Sequence, residues 1–393
     1  MTDAPSAAQA PTATVRDHSA DHAAKHTADH SADHTADRAQ PARSASQALA
    51  THLAAQAGSF LRGLPAVDLT TLRRVSATLH TFDALLDPGW ARELREELGR
   101  LTGILGQERA HDRRLARLLA SLDSLTCTGA TSATAAAATA PATGTPAPTA
   151  AALTAEQTGT DRGGESATVP RPRAAEGLLA GHPGAPKARA LLERQLTLAR
   201  SRAHTTALQE LGSARFHALA DRMTLLISDL PLRDPGDTAP AEALLPYAAE
   251  AARSLASAVA ELPLQRAAAP YNGDALHDPG DDLPWRRIRV LVQHTQYALE
   301  VCAGQLGPRT SQSATGALAD LARVLGRHRD AADAAEAAAL AARTPRITPA
   351  TAYVLGVVHA DQRLEVEAAR HAFSSNWPDL YRSGWLTDPW LTR

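Results

Sequence analysis

Aromatic side chains are scarce in this chain: Phe, Trp and Tyr make up 4% of its 393 residues. A core assembled from large rings is excluded, so Leu, Val and Ala must pack at close spacing, which helices accommodate best. Charge of one sign is lacking as well. With a formal net charge of −2, no global field draws the chain towards nucleic acid or an anionic membrane. Sequence-specific nucleic-acid binding is not expected, and any polyanion must be held by local clusters. The two cysteines, Cys127 and Cys302, give no disulfide framework and suit a reducing cytosol. The amino terminus MTDAPSAAQAPTATV has neither a basic n-region nor an apolar h-region, and no apolar run reaches membrane-spanning length. The expected location is the cytoplasm, with no membrane partner. There is no Gly-rich phosphate loop, HExxH, CxxC or GxSxG either. An enzyme is not expected, and no catalytic residue, cofactor or metal ligand is assigned.

What is present is one helical pattern written twice. Leu94, Leu98, Leu101 and Leu105, followed by Gly106, are answered by Ala314, Leu318, Leu321 and Leu325, followed by Gly326. The 4-3-4 spacing puts each set on one helix face, and each glycine reads as a C-terminal stop. About a helix upstream of each copy stands an arginine cluster, Arg73-Arg74 in one and Arg286-Arg287-Ile288-Arg289 in the other. The fold class that follows is all-α, with two related helical-bundle halves forming a pseudo-two-fold internal repeat.

The organisation along the chain fits this reading. Residues 1–44 are rich in Ala, Ser, Thr, Asp and His and read as a disordered tail. Residues 45–124 form the first half, opening with a helix over 45–62. Leu72, Val75, Leu79, Phe82 and Leu86 make a 3-4-3-4 stripe, and Asp87-Pro88 supplies an N-cap and first-turn proline for the helix ending at Gly106. A further helix runs to about Leu122. Residues 125–186 are an Ala, Thr, Pro and Gly-rich linker read as a long disordered insertion. The second half is placed at 187–375, with an Ala-rich helix from Asp330 and a last helix from about Ala350 to Phe373. Residues 376–393 form a tryptophan-containing tail. Trp377, Trp385 and Trp390 either dock a protein partner or, as is commoner, fold back onto the bundle. His18, His22, His26, His30 and His34 recur every four residues, but the stripe drifts around a helix and closes no single metal site.

The run LRRVSATLHTFDALLDPGWARELREELGRLTGILGQER from Leu72 to Arg109 resembles the first half of a CHAD domain, the conserved-histidine α-helical domain. WRRIRVLVQHTQYALE from Trp285 and LADLARVLGRHRDA from Leu318 resemble its second half, and VLGVVHADQRLEVEAARHAF from Val354 its closing helix. The resemblance implies a helical bundle with a basic cavity that binds inorganic polyphosphate without transforming it. Carried over residue by residue, it nominates Arg73, Arg74, Arg109, Arg215, Arg286, Arg287, Arg289 and His328 as polyphosphate-binding residues. Arginine suits the task because its planar fork donates two parallel bonds to phosphate oxygens.

The match departs from the family at several basic positions. Leu69, Ser76 and His80 replace cations in the first half, and Ala66 stands where a histidine belongs; Gln293, His294 and Gln296 occupy a Lys-Arg-x-Arg run in the second. Weakened binding is therefore expected. The ExExK pattern of triphosphate-tunnel enzymes, which CHAD domains often accompany, does not occur. The alternative is a degenerate CHAD-like scaffold that has lost polyphosphate and acts through protein contacts. Without the resemblance, the arginine pairs read as solvated helix faces, and His328 with Asp330 as a local capping pair.

Overall fold

The computed structural model describes residues 44–64, 67–127, 177–270, 272–277 and 279–382. The expectations for residues 1–43, the histidine tract, most of the 125–186 segment, Trp385 and Trp390 lie outside the described residues. The fold is all-α. Helix α1 spans Ala45–Arg62, where Ser44 and Gln47 form a capping box that satisfies two otherwise orphaned backbone donors. Helix α2 spans Leu69–Thr81, with Asp68 accepting from the Thr70 and Thr71 amides. In α3, Pro88–Thr126, the Asp87 carboxylate accepts from the Trp90 amide at 2.7 Å and Pro88 occupies the first turn. Then follow α4 (Ala185–Leu211), α5 (Ala214–Ser228), α6 (Leu245–Ala260), α7 (Asp282–Val301), α8 (Pro308–Ala342) and α9 (Pro349–Arg382). None of the helices is long and apolar enough to cross a membrane among the described residues.

The internal repeat is visible in the packing. In one half α1 lies on α2, α2 on α3 and α3 on α4; in the other α6 lies on α7, α7 on α8 and α8 on α9. Across the join α2 meets α7, α3 meets α8 and α4 meets α9, so like elements face like. Helix α5 links the two sets and packs on α1. The connection after α5 is laced to the first half by backbone bonds, from the Asp87 amide to the Pro231 carbonyl and from the Ala45 amide to the Ala239 carbonyl.

The two leucine stripes supply the core between the halves. Leu94, Leu98, Leu101, Ala314, Leu318, Leu321 and Leu325 are buried together with Leu72, Val75, Leu79, Phe82 and Leu86. A second, smaller core joins the far ends of the long helices, where Leu118, Leu122, Leu192 and Leu196 meet Ala334, Ala338, Val354 and Val358. The alanines of α8 let α9 lie close along it, which a chain poor in aromatics requires.

Three sequence expectations change. Gly106 and Gly326 do not end their helices, so the segments expected after each glycine are continuations of α3 and α8. Neither glycine has positive φ, and the roughly 1 kcal/mol helix penalty of glycine is outweighed by the buried leucines on either side. Helix α4, assigned by sequence to the second half, packs along α3. The last helix runs past Phe373 to Arg382, so that Trp377 lies inside α9, buried and stacked on Phe373 at 5.9 Å.

Gly184 is a contrasting case, because a Cβ there would sit 2.2 Å from the Ala350 carbonyl oxygen at the start of α9, whereas at Gly326 it would meet nothing within 4 Å. Gly184→Ala is expected to lower stability by about 1–3 kcal/mol through overpacking against backbone. Gly326→Ala is expected to raise it by about 0.5–1 kcal/mol through helix propensity. Chemical denaturation of both variants checks the pair; a loss at Gly326 contradicts the continuous α8.

Candidate functional site

Four helices from both halves bring guanidinium groups together. Arg73 comes from α2, Arg113 from α3, Arg289 from α7 and Arg329 from α8. Each reaches the seam because its helix buries an apolar stripe on one side: Leu72 and Val75 flank Arg73, and Ile288 precedes Arg289. Burial, then the positive charges of Arg329 and Arg73, push Arg289 down to about 10. Burial, then Arg329, with Arg113 adding, also lowers the pKa of Arg73. Arg329 Nη2 lies 2.6 Å from Asp330 Oδ1, and Arg113 Nε 3.7 Å from the same atom. Neither Arg73 nor Arg289 forms an ion pair among the described residues, and the Arg289 Nε is buried without a hydrogen-bond partner. Of the four guanidiniums only Arg113 and Arg329 pair with a carboxylate, Asp330, so the cluster is locally basic in a chain whose net charge is −2.

The cluster opens onto a groove of about 480 Å³ between α3, α8 and α9, whose lining includes Arg113, Arg117, Asp330 and Glu365. On its other side the Arg74 guanidinium stacks over the Tyr297 ring at 5.2 Å and pairs with Glu300 at 2.9 Å. Burial raises the Tyr297 pKa, which keeps its hydroxyl neutral and able to donate.

The remaining nominated residues are distributed differently. Arg286 pairs with Asp333 at 3.0 Å, sharing that carboxylate with Arg114. Arg287 is exposed, with Glu261 at 3.9 Å. Arg215 is tied to Glu97 in a surface network with Arg100 and Glu210. Arg109 is exposed on α3, one turn before Arg113.

His328 is neither a cap nor a cavity residue. It is buried, stacked on Trp285 with centroids 5.7 Å apart, and its Nε2 accepts from Arg370 Nε at 3.3 Å. Burial pushes its pKa down to about 3, so a neutral ring is part of the core. Beside it Asp282 accepts from Arg363 and Arg370, each at 2.7 Å.

Sequence reading missed Arg113 and Arg329. The signal for Arg329 was in the repeat itself: in LGQER and LGRHR, Arg109 and Arg329 each stand three residues after the glycine. Arg113 carries no such mark, because its repeat partner position is the acidic Asp333.

The CHAD domain family model matches residues 69–339, which includes α2, α3, α7, all but the last three residues of α8, and all four clustered arginines. The chain belongs to the CHAD-domain family. PptA from Streptomyces chartreusis is 40% identical, with 85% of this chain and 99% of that one covered and a TM-score of 0.62. No curated protein matches. In this CHAD domain the charges therefore separate into a neutralised set that holds helices together and an unneutralised set at the seam.

Asp282 heads the first set. Burial alone would raise its pKa, but hydrogen bonds from Arg363 and the charges of Arg363 and Arg370 outweigh it and hold the carboxyl below its usual range. A depressed folded-state pKa stabilises above the unfolded value of about 3.9, and the contribution is lost as pH falls through the folded value. Asp282→Asn is expected to cost about 3–5 kcal/mol, because two buried guanidiniums lose their counter-charge. Urea unfolding at pH 7 and pH 3 tests this: the penalty must be large at pH 7 and shrink at pH 3.

Proposed function

We propose that this CHAD domain binds inorganic polyphosphate, without transforming it, at the seam formed by Arg73, Arg113, Arg289 and Arg329. One observation carries the reading: Arg73 and Arg289, from opposite halves on the packed helices α2 and α7, form no ion pair among the described residues, and the Arg289 Nε is buried without a hydrogen-bond partner. Like charges held together raise the folded state's energy, and an anion entering between them relieves it. A linear polyanion fits better than a single phosphate, because the four guanidiniums come from four helices and the last of them, Arg113, stands at the edge of the groove. Polyphosphate has no base edges to read, so charge density and charge-assisted hydrogen bonds to phosphate oxygens suffice.

Of the nominated residues, Arg73 and Arg289 are the centre of this proposal, with Arg74 and Arg109 at its margins. Arg215, Arg287 and His328 are left out, since one is bound in a surface network, one faces solvent and one is core. A second reading, a scaffold that has lost the ligand, draws on the filled part of the α2 and α7 interface. There His294 packs against His80 with ring centroids 4.7 Å apart, and Gln296 donates to Glu300.

The two readings separate in a titration with long-chain polyphosphate at two salt concentrations. Binding is expected to weaken steeply with salt. Arg73→Ala and Arg289→Ala should each reduce the slope of log affinity against log salt by about 0.7, the value for one contact with a single-stranded polyanion. Absence of binding favours the scaffold, and binding indifferent to salt and to both substitutions rejects this seam as the site.

A further inference from the structure

Asp330 stands among the arginines that the polyanion is proposed to reach. Its Oδ1 lies 2.6 Å from Arg329 and 3.7 Å from Arg113, and its charge partly offsets the crowding on Arg289. A single carboxylate on α8 thus pairs with guanidiniums of α8 and α3. We propose, resting on the polyphosphate reading above, that Asp330 sets the site's preference for long over short polyphosphate, acting as a tethered competitor for Arg113 and Arg329.

Effective concentration decides which anion displaces Asp330. A single phosphate that took Arg113 and Arg329 would exchange one anion for another, against a carboxylate held in place at an effective concentration on the order of millimolar. A polymer is not limited in this way. Its first phosphates engage Arg73 and Arg289, where no carboxylate has to leave. Its next phosphates then meet Arg329 and Arg113 as intramolecular partners, at a high effective concentration of their own. The exchange is feasible because the Asp330 side chain is 29% exposed and Arg113 46% exposed, so the displaced carboxylate turns to water instead of being buried without a partner. Asp333, one turn further along α8, differs: at 16% exposure it holds Arg114 and Arg286 in a more enclosed pair, which suits a fixed strut.

The experiment is calorimetric titration of the full chain, and of its Asp330→Asn and Asp330→Glu variants, with tripolyphosphate and with long-chain polyphosphate at one low salt concentration. Asp330→Asn is expected to tighten tripolyphosphate about fivefold, the effect of removing one ion-pair competitor at a partly exposed site. Long-chain polyphosphate should tighten by less, so the preference for the polymer narrows, while Asp330→Glu keeps the wild-type ratio. Asp330→Ala gives the same reading should the amide disturb folding. Weaker binding of both ligands to the charge-free variants would show that Asp330 positions the arginines, and an unchanged ratio would show that it does not discriminate. Either result overturns this inference alone. A wild-type chain that binds no long-chain polyphosphate overturns the proposed function, and this inference with it.

Discussion

Packing of apolar stripes across the join between the two halves is the constraint on which everything else depends. The stripes of α2, α3, α7 and α8 are buried there, each large side chain contributing about 1.5–3 kcal/mol relative to exposure. Two like charges a few ångströms apart near a protein surface repel by about 4 kcal/mol at 4 Å, and less as the distance grows. More than ten buried leucines and valines therefore outweigh the repulsion among four arginines. The fold can hold guanidiniums close without neutralising each of them, and the residual repulsion is then available to favour an anion.

The protein treats its charges in two ways. Asp282, Arg363, Arg370 and His328 are withdrawn from water and satisfy one another, joining α7, α8 and α9, while Glu367 accepts from the Asn272 and Gly273 amides and pins the loop leading into α7. These groups are costly to break and have no capacity left for a ligand. Arg73 and Arg289 are partly buried yet form no ion pair among the described residues, and Arg113 and Arg329 share one partly exposed carboxylate, Asp330. The first arrangement holds the fold and the second leaves charge unspent. A histidine that the resemblance had assigned to the ligand belongs to the first.

Much of the architecture was legible from residue order. Leu72, Val75 and Leu79 and the paired leucine sets specified helix faces, and Asp87 marked a helix start through its ability to cap an amide, whereas Phe82 and Leu86, read as part of the same stripe, lie beyond the end of α2 at Thr81. The glycine stops were misread because helix continuation depends on what the flanking residues bury, and a glycine's intrinsic penalty is small against that. Placement of α4 was misread because proximity in sequence to the second half says nothing of which long helix it lies along. For the proposed site, Arg73 and Arg289 were nominated through the family resemblance, whereas Arg113 was not, and its repeat partner position, Asp333, carries the opposite charge.

The sequence by itself determined that the chain is helical, that it is built from two related halves, and which face of each helix is apolar, because these follow from periodicity about a helix's own axis. Tertiary structure alone decided which arginines meet. Whether a guanidinium is paired, crowded or solvated depends on through-space distance to groups on other helices. Arg73 and Arg289 lie more than two hundred residues apart in the chain, and only the packing of α2 against α7 and of α3 against α8 brings their fields to the same place.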